Sequence, residues 1–173
     1  VDMFGLAGRL QAQGAGAEQL DAVPAGQGVG GGQQPGHPLG QQGGLGEADA
    51  AERLRGADGM TLQWISWGWR GPVEVMQNGG LITIKGGQDS ALAPADAGDV
   101  GTGRVTIDGV VTEIGEDYIL FDGDIIITDS PDIGRVCKRS GPMLFRVTQN
   151  RQYWRLQNMT ECDGLTDYVD IYF

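Results

Sequence analysis

Three Asx-Gly dipeptides, each set between runs of β-branched and aromatic residues, constrain this chain more than any other feature. Asn-Gly and Asp-Gly suit tight hairpin turns, because both residues accept the positive φ that such turns demand. Val73–Met76 and Leu81–Lys85 flank Asn78-Gly79, and Arg104–Ile107 and Val110–Ile114 flank Asp108-Gly109. Tyr118–Phe121 and Asp124–Thr128 flank Asp122-Gly123. The middle pair also reads as one strand bulged at Gly109, since its apolar parity changes there from Val105/Ile107 to Val110/Ile114. Met143–Val147 and Tyr153–Leu156 flank a polar turn at Gln149-Asn150-Arg151, and Tyr168–Phe173 ends the chain as a further strand. About seven or eight short strands without intervening helical patterns predict a mainly β fold, a small antiparallel barrel or sandwich.

Residues 1–60 differ in kind. They hold 16 of the 31 Gly, and Gly26–Gly36 offers only Val29 to repay the entropy of ordering it. The division expected is a Gly/Ala/Gln-rich arm over 1–60, flexible or with short helices such as 47–55, followed by a β domain over 61–173. Val1 fits a literally translated GTG start, and Met60 sits at the compositional break. The leader therefore reads either as a genuine arm or as an out-of-frame stretch. No secretory apolar core precedes the β region, so an exported chain would have lost its signal peptide or its true start.

Ile107-Asp108-Gly109-Val110-Val111 followed by Tyr118-Ile119-Leu120-Phe121-Asp122-Gly123 resembles the first strands of OB-type small β-barrels, over residues 104–128. The resemblance implies a barrel and carries no functional residues.

Charge and motif content exclude much. With 12 Lys+Arg against 23 Asp+Glu the formal net charge is −11, which opposes nucleic acid and anionic membrane surfaces. No apolar run reaches the roughly 18 residues of a membrane span. The single histidine, His37, lies in the Gly-rich arm, and neither a nucleophile elbow nor a phosphate loop is present. No catalytic residue and no resident cofactor are expected.

Three groups remain as candidates. Cys137 and Cys162 are the only cysteines; as a disulfide they would close a loop of about 26 residues, worth about 3 kcal/mol on the chain-entropy argument, and as free thiols they would be small buried apolar groups. Eight carboxylates lie between Asp108 and Asp132 with no Lys or Arg among them. Asp122, Asp124, Asp129 and Asp132 form the tightest pairs. They read as solvated turns, as a docking patch for a basic protein, or as oxygen ligands for Ca²⁺, although no EF-hand spacing is present. Strand alternation in Trp64–Trp69 puts Trp67 and Trp69 on one face with Ile65, either sealing a barrel end or forming a stacking row. The reading that follows is a non-catalytic exported binding module, periplasmic or cell-envelope, with an acidic surface for a cationic protein partner. Inhibitors of cationic cell-wall hydrolases exemplify that class. The alternatives are a carboxylate-based hydrolase of a sugar polymer and a Ca²⁺-stabilised envelope domain.

Overall fold

The computed structural model describes residues 43–173; the arm before them, with His37 and Gly26–Gly36, lies outside the described residues. A helix, α1 (Gly43–Arg55), precedes eight strands: β1 (Gly59–Leu62), β2 (Val73–Asn78), β3 (Leu81–Asp89), β4 (Arg104–Ile114), β5 (Tyr118–Thr128), β6 (Val136–Arg146), β7 (Tyr153–Leu156) and β8 (Val169–Tyr172). All pairings are antiparallel, and the strand order is β1-β8-β7-β6-β5-β4-β3-β2. The sheet curls until Met60 of β1 exchanges two backbone hydrogen bonds of 2.9 Å with Gly71, just before β2. The result is a nearly closed barrel, the mainly β architecture that the hairpin pattern predicts.

The buried amide of Gln88 holds the seam where β1 meets the start of β2. Its Oε1 accepts the Leu62 N–H at 2.8 Å, and its Nε2 donates to the carbonyls of Ser66 (3.1 Å) and Trp69 (2.9 Å). Both N–H groups and the oxygen of that amide have partners, as burial requires.

Two of the three dipeptides are not turns. Asp108-Gly109 and Asp122-Gly123 lie in the middle of 11-residue strands, and only the Asn78-Gly79 region reverses the chain, with Gly79 at φ +61°. The real β4–β5 turn is Gly115-Glu116-Asp117, closed by Gly115 N–H to Tyr118 O at 2.8 Å. The physical reason is the register. Gly109 and Gly123 are paired across β4 and β5 at positions that face the barrel interior, and Gly141 pairs with Gly123 from β6 at φ +96°. A Cβ on Gly123 would stand 2.3 Å from the Asp108 carbonyl oxygen and 2.6 Å from the Gly109 Cα. Glycine here lets long strands coil tightly, a second use of the residue that a hairpin reading overlooks. β4 keeps its inward parity from Val105 through Val111, and the irregularity falls at Thr112 rather than Gly109.

Residues 104–128 thus form two neighbours in an eight-stranded meander, whereas OB-type barrels are five-stranded Greek keys. The turn expected at Gln149-Asn150-Arg151 is present between β6 and β7, with Gln149 and Asn150 both at positive φ.

Inward residues of every strand fill the barrel. Ile84, Val105, Ile107, Phe121, Ile125, Phe145, Trp154, Leu156 and Ile171 are among its fully or almost fully buried members, and Phe121 meets Phe145 edge to face at 6.1 Å. The helix α1 covers one end. Ala50 and Leu54 are buried in the same core, Arg53 donates to the Glu116 carbonyl at 3.0 Å, and its guanidinium lies 5.5 Å from the Trp154 ring centroid. A domain boundary at residue 60 would fall inside β1, and the folded unit reaches back to α1.

Candidate functional site

The barrel end opposite α1 is built from four loops: residues 63–72, 90–103, 129–135 and 157–168. A buried carboxylate ties them together. Asp167, fully buried, accepts from Trp64 Nε1 (3.0 Å), from Arg135 Nη1 and Nη2 (3.1 and 3.0 Å) and from Arg139 Nη2 (2.8 Å). Arg135 also reaches the Ser130 carbonyl and the Asp163 carboxylate. Burial alone would raise the Asp167 carboxyl, but the hydrogen bonds from Arg135, Arg139 and Trp64 prevail and hold it below the ordinary carboxylate range. No spacing rule links an acid to arginines 28 and 32 residues earlier, so sequence reading missed this network.

Cys137 and Cys162 are bonded, with their Cα atoms 5.8 Å apart. The bond fastens the 157–168 loop to β6 two residues from Arg139, and so supports the same network. Reduction should lower the melting temperature by the equivalent of about 3 kcal/mol, read by thermal unfolding with and without reductant. Two free thiols in the unfolded, unreduced protein would contradict it.

The acidic belt is spread over two places. Asp122 and Asp124 point outward from the wall of β5, whereas Asp129 and Asp132 belong to the 129–135 loop. On the wall, Asp124 pairs in register with Asp108, and like charges so placed repel. Lys85 offsets Asp108 at 3.2 Å and Lys138 offsets Asp124 at 3.4 Å. The Ser140 hydroxyl and the Lys138 ammonium hold the Asp124 carboxyl below its usual range. Asp122 has no ion-pair partner among the described residues. In the loop, the Asp129 carboxylate accepts the Gly134 N–H at 2.7 Å, the local bonding typical of a turn Asp. Among the described residues no three His, Cys, Asp or Glu side chains converge into a cluster.

The tryptophans do not share a face. Residues 63–70 are turns rather than strand, so the period of two does not apply. Ile65 is buried, and Trp67 is 51% exposed beside Arg155, whose guanidinium lies 5.8 Å from the Trp67 ring and 4.3 Å from the Tyr168 ring. Two 2.7 Å hydrogen bonds lock Arg155 to the buried Asp170. Trp69 instead borders a recess of about 280 Å³ with Leu92 and Arg104. A second, shallow groove of about 540 Å³ runs over Gly86 and Gly87, between Pro72, Lys85, Asp108 and Asp124.

A model of the PM1083 family matches residues 43–173, beginning where α1 begins. The chain belongs to that family. It is 36% identical over 123 residues to PM1083 of Pasteurella multocida (strain Pm70), an uncharacterized protein, across 70% of this chain and 74% of that one. No solved structure matches the chain. The family match includes α1 and the seam, so the helix is part of the domain that the family defines.

Proposed function

We propose that this PM1083-family chain is a non-catalytic binding module of an oxidising, extracytoplasmic compartment, with an acidic surface that takes a cationic protein partner. The observation that carries the reading is the filled barrel. Apolar side chains occupy its interior, and the charged groups sit in ion pairs, in turns or on the outer surface. Such a barrel presents surfaces rather than a reaction chamber. The Cys137–Cys162 bond supports export, since disulfides persist where thiols are not kept reduced. The net charge of −11 supports a basic partner, because complementary charge raises association rates and repels acidic competitors.

The test is retention of purified basic proteins, lysozyme and cytochrome c, by the immobilised chain. Retention at low ionic strength is expected, with association slowing as salt screens exposed charges over about 8 Å at physiological strength. Retention of neither protein, or retention indifferent to salt, would sink the reading.

A further inference from the structure

The acidic wall and the acidic loop end are different surfaces, and only one of them pairs charge with exposed apolar area. Hydrogen bonds make the four loops a single platform. Ser66 Oγ donates to the Asp99 carbonyl (3.2 Å) and Gly101 N–H to the Ile65 carbonyl (2.7 Å), joining 63–72 to 90–103. Thr102 Oγ1 contacts the carbonyls of Asp129 (2.8 Å) and Pro131 (3.0 Å), joining 90–103 to 129–135. Arg135 joins 129–135 to 157–168 through Asp163 and Asp167.

This platform presents large apolar side chains to solvent: Ile133 is 84% exposed, Leu92 72%, and Val136 at the start of β6 67%. On the same loops Asp96, Asp99, Asp129, Asp132, Glu161 and Asp163 are all exposed. The cations at this end are already committed. Arg135 and Arg139 are buried on Asp167, Arg104 faces Asp89 at 3.8 Å, and Arg70 faces Asp58 at 2.6 Å. The wall differs on both counts. Asp108 and Asp124 are offset by Lys85 and Lys138, and the outward Val110 and Ile126 are only partly exposed.

Resting on the binding-module reading, we propose that the loop end is the docking surface, and that its partner is a folded protein presenting an apolar contact inside a rim of Lys and Arg. Isolated exposed apolar residues are ordinary, but several on one rigid, acid-rimmed platform suit an interface with a desolvated centre and a charged edge. Charge selects among occupants. A second copy would oppose like-charged rims, and nucleic acid or an anionic bilayer would be repelled. A platform held by buried ion pairs and a disulfide needs little further ordering on binding, which preserves affinity.

Three variants separate the surfaces, each first checked for an unchanged melting temperature. Leu92→Ser/Ile133→Ser/Val136→Ser should speed dissociation of lysozyme or cytochrome c about tenfold and leave association nearly unchanged. Asp96→Lys/Asp99→Lys/Asp132→Lys should slow association about tenfold at low salt. Asp122→Lys/Asp124→Lys on the wall should alter affinity less than the loop-end variants do. Loss of binding in the wall variant with wild-type kinetics in both loop-end variants would overturn the proposal and leave the binding-module reading standing. Retention of neither probe by the wild type would overturn both. Micromolar self-association abolished by the apolar variant would overturn the cationic partner in favour of a second copy.

Discussion

Asp167→Asn should cost this domain about 3–5 kcal/mol of stability, because it leaves the buried Arg139 guanidinium without an anion and Arg135 with only the exposed Asp163. Arg135 and Arg139 are almost completely buried at their side chains, and Asp167 is the carboxylate that both share. The loss should be read from chemical denaturation as a fall in midpoint. Asp163→Asn is the matched control. Its carboxylate touches the same Arg135 but is 60% exposed, so solvent screening limits its worth to about 1 kcal/mol or less.

The same network sets an acid limit. The folded-state pKa of Asp167 is depressed below its unfolded value, so its stabilising contribution is complete above the unfolded pKa. That contribution is lost as pH falls through the lower, folded value. Wild-type stability should therefore drop on acidification below about pH 4, and Asp167→Asn should show a smaller acid dependence. A variant with the wild-type midpoint at neutral pH would remove the network from the list of things holding the loops together.

Strand content was legible because alternation is a local signal. Val105/Ile107, Ile125/Ile127 and Met143/Phe145 each point apolar groups to one face, and every such run is a strand. The cysteine pair was legible because two cysteines allow one connectivity. What failed was the meaning of glycine. Asp108-Gly109 looks the same whether Gly109 turns the chain or opens room for Phe121 and Gly123 on the next strand, and only the register across β4, β5 and β6 decides between them. The Trp64–Trp69 assignment failed for a related reason, since a period of two holds only where the backbone is extended. Sequence could place Asp129 and Asp132 near Asp122 and Asp124 along the chain. It could not see that the strand end separates loop from wall, nor that Ile133 beside Asp132 would stand exposed.

A chain beginning at residue 60 should fail to unfold cooperatively, whereas residues 43–173 should unfold as one unit. The compositional break at Gly59-Met60 suggests that everything before it is dispensable, but the packing gives α1 a share of the core. Leu54 and Ala50 are completely buried. Arg53 lies over Trp154 and Phe173, with its guanidinium 5.3 Å from the Phe173 ring centroid, and bonds the β4–β5 turn. Losing the buried Leu54 side chain alone costs about 2–5 kcal/mol by large-to-small substitution, against a total stability of about 5–15 kcal/mol for an ordinary domain. Removing the whole helix also opens one end of the barrel to water and cuts Gly59 from the β1–β8 pairing, where it faces Tyr172. Calorimetry on the two truncated chains, with Leu54→Ala in the full chain as the intermediate case, reads the effect directly. The single substitution should lower the melting temperature without abolishing the transition. A sharp wild-type transition in the chain starting at residue 60 would mean that the barrel closes without its helix, and that the seam at Met60, Gly71 and Gln88 suffices.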